Sequence, residues 1–130
     1  MAQENQMTFS VDIVLKGRDF AVTEAVSVAH GEPATWGDAA VRDVLVEILR
    51  AIDRAGSPAG AAAGKSVILR GFSWIVEPVE GKVVIAIEIP MGAAVAGPFA
   101  IHQAELDARI ARVLKTDAEM ASAPASGRVH

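Results

Sequence analysis

From residue 8 the chain alternates, with Phe9, Val11, Ile13 and Leu15 on one side and Thr8, Ser10, Asp12 and Val14 on the other. That two-residue period predicts a strand with one buried face. Lys16-Gly17-Arg18-Asp19 follows, with glycine at the first central position of a type II′ hairpin turn and opposite charges flanking it. Counting outward from that turn pairs Leu15 with Phe20 and Ile13 with Val22. Phe9, Val11, Ile13, Leu15, Phe20, Val22, Val26 and Val28 then share one face, on which Glu24 is the single charged residue.

The period changes after "AHGEP". Val41, Val44, Leu45, Ile48, Leu49 and Ile52 recur at helical spacing, with Arg42, Asp43, Glu47, Arg50 and Asp53 on the opposite side. Thr35 and Asp38 read as a cap for this helix, and Ala55-Gly56 with Pro58 as its end.

A second unit repeats the order. Residues 66–77 read as a strand, "PVEG" as a turn and residues 82–90 as the returning strand. Pairing Glu77 with Lys82 puts Phe72, Trp74 and Val76 on one face with Val83, Ile85, Ile87 and Ile89, and Arg70 on that same face. "MGAAVAGP" reads as a glycine-rich loop. Pro98 suits the first turn of a second helix marked by Leu106, Ile110, Val113 and Leu114. The predicted fold class is therefore α+β: two β-β-α units forming a four-stranded, mostly antiparallel sheet with both helices packed on one face. Its single domain covers 7–116, as halves 7–56 and 65–116 joined by 57–64, between a disordered lead 1–6 and a disordered tail 117–130.

Composition narrows the function classes. Hydrophobic residues make up 52% of the 130 residues, so the chain carries enough apolar side chains for a core. A net charge of −4 argues against nucleic acid, whose binders need a basic face. The absence of cysteine excludes disulfides, thiolate nucleophiles and cysteine metal sites. No apolar run reaches the roughly 20 residues a membrane helix needs, and the polar start lacks the plan of a signal peptide, so the expected location is the cytoplasm, with no membrane partner.

Short motifs add less than their patterns suggest. Ala59, Gly64, Lys65 and Ser66 fit a relaxed phosphate-loop spacing, but a helix precedes them and a strand follows, the reverse of the order that aims a helix N-terminus at phosphate. Nucleotide hydrolysis is not expected. Gly92 and Gly97 have the better context for an anion-binding loop, between a strand and a helix, but Pro98 and Phe99 stand where a lysine and a hydroxyl residue would be needed. His30 with Glu32, and His102 with Glu105, lack the two-histidine helical spacing of a zinc protease, so no metal is expected, nor any cofactor.

Two charges on an apolar face must be paired or lie at its rim. If Glu24 and Arg70 meet, they define a polar pocket under the helices with Trp74 as its apolar wall and His30 and Glu32 near it, the arrangement of a small enzyme or a small-molecule sensor. The sheet's other face carries Leu69, Ile75, Val84 and Ala86 in the second hairpin, an uncovered apolar strip of the kind that marks an interface. The leading expectation is a non-catalytic interaction or ligand-binding module that forms a homo-oligomer, most simply a dimer, through that face.

Overall fold

The computed structural model describes residues 6–56 and 72–128, with side chains as far as Glu119. The first hairpin comprises β1 (Met7–Leu15) and β2 (Ala21–Val28). A short 3-10 turn, Pro33–Thr35, leads into α1 (Asp38–Gly56). Three strands follow, β3 (Ser73–Val79), β4 (Lys82–Ile89) and β5 (Gly92–Phe99), and α2 (Gln103–Arg128) closes the chain. The sheet has five strands in the order β2-β1-β5-β4-β3, with every pairing antiparallel.

The α+β class holds, and the four-stranded sheet is corrected to five. The glycine-rich stretch expected to be a loop is β5, and it is the central strand, hydrogen-bonded to β1 on one side and β4 on the other. Glycine is needed at both of its singled-out positions. A Cβ on Gly92 would lie 2.5 Å from the Val14 carbonyl oxygen and 2.9 Å from Leu15 Cα, so only glycine lets β5 enter the sheet that close to β1. Gly97 has φ +125° where the β4 register shifts between Val83 and Ile85. The shift is a bulge, and it exchanges faces. Ala94 and Ala96 point into the core before it, and Phe99 points into the core after it.

Core packing follows from the alternation. Phe9, Val11, Ile13 and Leu15 of β1 and Val83, Ile85 and Ile87 of β4 are buried under the helices. α1 covers β1, β2 and β5 with Val41, Val44, Leu45, Ile48 and Ile52, while α2 covers β3 and the flank of α1 with Leu106, Ile110 and Val113. Phe99 stands edge-on to both Phe9, at 5.0 Å between centroids, and Trp36, at 5.2 Å. Trp36 is the anchor of the connection into α1, its Nε1 donating to the Gly31 carbonyl at 2.9 Å. No polar or charged residue is buried among the described residues.

The turns differ from expectation in detail. In the first hairpin the Arg18 amide donates to the Leu15 carbonyl, so the turn begins one residue earlier than expected and Gly17 occupies its third position. Ile13 pairs with Val22 as expected, but Phe20 swings out to solvent. In the second hairpin the tight turn is Glu80-Gly81, both at positive φ, and Val79 pairs with Lys82. That register is two residues from the expected Glu77–Lys82 pairing, and a shift of two keeps each side chain on its face. Thr35 does not cap α1. Its hydroxyl donates to the Glu32 carbonyl within the 3-10 turn, and α1 starts three residues later, at Asp38. Nor does Pro98 open α2, which starts at Gln103 and runs through Arg128, past the boundary expected at residue 116. The phosphate-loop match, the linker 57–64, Leu69 and Arg70 lie outside the described residues.

Candidate interaction surface

Both helices lie on one face of the sheet and leave the other open. Strand alternation puts Thr8, Ser10, Asp12 and Val14 of β1, Ala93 and Val95 of β5, Val84, Ala86 and Glu88 of β4, and Ile75, Glu77 and Val79 of β3 on that open face. The registers align Asp12, Val95, Ala86 and Ile75 as one row across four strands. Val14 lies at one end of this face and Val79 at the other, so a diagonal apolar stripe crosses the sheet from β1 to β3. Its large members are well exposed: Val14 44%, Val95 42%, Ile75 51% and Val79 41%.

Polar residues flank the stripe. Asp12 accepts a hydrogen bond from the Thr23 hydroxyl at 2.7 Å, and a 2.8 Å bond joins the hydroxyls of Thr8 and Ser27. The half of the face formed by β2 is small and polar, with Ala21, Thr23, Ala25 and Ser27. Asp12, Glu77 and Glu88 against Lys82 leave the strands of this face net negative.

The residues expected to form a pocket under the helices are separated. Glu24 is on β2 and Trp74 on β3, the two outermost strands, which are four inter-strand spacings, about 19 Å, apart. Glu24 accepts from Arg54 in the last turn of α1, at 2.8 and 3.2 Å. Trp74 is half-buried beside the core under α2. His30 Nε2 is 2.8 Å from Asp43 Oδ2 on α1, whereas Glu32 is exposed and uses its carbonyl to hold Thr35. His102 is exposed just before α2, and Glu105 is 3.7 Å from Arg109. Among the described residues no three histidine or carboxylate side chains gather as a metal site. Gly92 lines a shallow groove of about 460 Å³ with Lys16 and Arg18, at the strand ends rather than at a helix N-terminus.

Sequence reasoning missed the seam between the helices. Arg112 of α2 makes a forked contact with Asp38 of α1, at 2.6 to 3.0 Å, and Arg42 of α1 donates to Asp117 of α2 at 3.1 Å. They flank a groove of about 470 Å³ floored by Ala39 and Val113. Hydrogen bonds from Arg112 hold the Asp38 carboxyl below its usual pKa, with the charges of Arg112 and Arg109 acting the same way. Exposed pairs of this kind are screened by solvent and add little stability. They set how α2 seats on α1. Helical spacing places Asp38 and Arg112 on surface faces, but only the tertiary fold brings residues so far apart in sequence together.

No helix among the described residues is long and apolar enough to cross a membrane. No protein-family model, curated protein or solved structure matches this chain.

Proposed function

We propose that the protein is a non-catalytic interaction module whose open sheet face binds a second copy of the chain. The diagonal stripe of Val14, Val95, Ala86, Ile75 and Val79 carries this reading. A sheet covered by helices on one side and crossed by exposed β-branched side chains on the other gains most by stacking on a like surface. Small residues, Ala86 within the stripe and Ala93 beside it, allow close approach; the Glu88 carboxylate lies off the stripe, and that of Glu77 lies between Ile75 and Val79 on the edge strand, where it stays exposed.

Val95 is the central position, so Val95→Glu tests the reading. Its side chain leaves the core untouched, and light scattering after size exclusion reads the mass directly. At micromolar concentration the wild type should exceed the monomer mass and Val95→Glu should elute as a monomer with an unchanged circular dichroism spectrum. Equal masses for the two would exclude the open face as the contact. Like-charged faces also repel, so added salt should strengthen the wild-type association.

A further inference from the structure

The two edges of the sheet are not alike. β3 carries Pro78, which has no amide hydrogen to offer, and its Val76 carbonyl accepts from the Gln103 side chain at 2.8 Å. β2 has eight residues with neither proline nor lysine, the residues that ordinarily blunt an edge.

The direction of its free backbone groups follows from the ladder. The Lys16 amide donates to the Met91 carbonyl, toward the β5 side, while the Leu15 carbonyl accepts from Arg18 on the β2 side. Successive residues of a strand point their amides and carbonyls to opposite sides. Odd-numbered residues of β1 therefore face β2, and their partners Val22, Glu24, Val26 and Val28 are bonded into the ladder. Ala21, Thr23, Ala25 and Ser27 are left with amide and carbonyl groups directed outward. No other hydrogen bond among the described residues reaches the β2 backbone.

A second observation points to the same edge. Phe20, just before β2, is 56% exposed, the most exposed large apolar side chain described, with the Arg18 guanidinium 5.8 Å from its ring centre.

We propose that β2 is a second contact surface, which pairs antiparallel with β2 of another copy about a two-fold axis through Ala25. The register follows from charge and length. Centring the pair on Glu24 sets two carboxylates directly opposite each other, which is unfavourable. Centring it on Ala25 avoids that and pairs residues 22–28, a longer run than centring on Thr23 or Val26 permits. In this register Thr23 faces Ser27 of the second copy, a hydroxyl pairing β2 already makes with Thr8, and Val22 faces Val28. Phe20 gains cover beside His30 of the second copy. Glu24 keeps Arg54 as its partner. The surface is distinct from the open face, since its axis is perpendicular to the sheet and its contacts are backbone groups.

Ala25→Pro isolates the proposal. It removes an amide hydrogen that points away from β1, so it spares the β1–β2 ladder while blocking the edge. In a Val95→Glu background, which disables the open face, the protein at several hundred micromolar should be a dimer, and adding Ala25→Pro should return it to a monomer. A Val95→Glu protein that is monomeric throughout that range, or a folded double variant that stays dimeric, overturns the edge pairing. Amide exchange of the wild type supplies a readout that does not depend on the proline variant folding. Raising concentration should slow exchange at Thr23, Ala25 and Ser27 at least tenfold and leave Val22, Glu24 and Val26 unchanged. Concentration-independent fast exchange at those three odd positions also overturns it. Loss of self-association on Ala25→Pro but not on Val95→Glu would keep the edge and remove the open face.

Discussion

Replacing Phe99 by alanine should cost about 4 kcal/mol, and the reason lies in the bulge at Gly97. Without that extra residue, position 99 would face solvent. With it, the ring is fully buried and edge-on to both Phe9 and Trp36. Removing a buried phenylalanine side chain costs about 3–5 kcal/mol, a range that already contains its aromatic contacts. Domains of this size have a total stability of only about 5–15 kcal/mol, so the loss should lower Tm by roughly 12–20 °C. Val95, four residues earlier on the same strand, points to the open face, and Val95→Ala should change monomer stability by no more than about 0.5 kcal/mol. Urea titration of both variants, at concentrations where the chain is monomeric, gives the comparison. A Phe99→Ala cost below about 1 kcal/mol, or equal costs at the two positions, would refute the placement of 92–99 as a central strand with a face exchange.

Two further effects follow from single contacts. Asp38 has its pKa depressed by Arg112, so in the folded chain it gives up its charge only at a pH below the unfolded value. The stability it contributes is present above the ordinary carboxylate pKa and is lost as pH falls through the lowered folded value. Arg112→Gln should therefore flatten the acid side of the stability profile measured by thermal melts between pH 2 and 6, and an unchanged profile would assign that slope to other carboxylates. Glu80 adopts φ +48° in the turn beside Gly81, and Glu80→Asn, which tolerates that conformation better, should raise stability by about 0.5–1 kcal/mol in the same melts.

The strongest periodicities mark the elements that do form. Phe9 to Leu15 and Val41 to Ile52 each repeat one period with polar residues out of phase, and both elements and their buried faces match the structure. Residues 92–99 could not be recognised as a strand for an equally physical reason. Glycine, alanine and proline have low strand propensity, and apolar residues occupy both faces, with Ala94 and Ala96 inward and Ala93 and Val95 outward. Its neighbours β1 and β4 make it a strand by supplying ladder partners on both sides. In the second hairpin the opposite charges of Glu77 and Lys82 suggest a pairing, but the Glu80-Gly81 turn sets the register two residues away. Of the expected open-face strip, Ile75, Val84 and Ala86 are on that face, while Val95 of β5 extends it toward Val14 of β1. Alternation puts Glu24 on the helix side of β2, and its partner there is Arg54, because the end of α1 reaches the edge of the sheet.

Sedimentation equilibrium of the wild-type chain bears most directly on self-association. Across the micromolar range the weight-average mass should rise from the 13.5 kDa of one chain toward twice that value, and it should rise at lower concentration when salt is added. A mass of 13.5 kDa at every concentration and ionic strength would show that the open face does not bind a second copy.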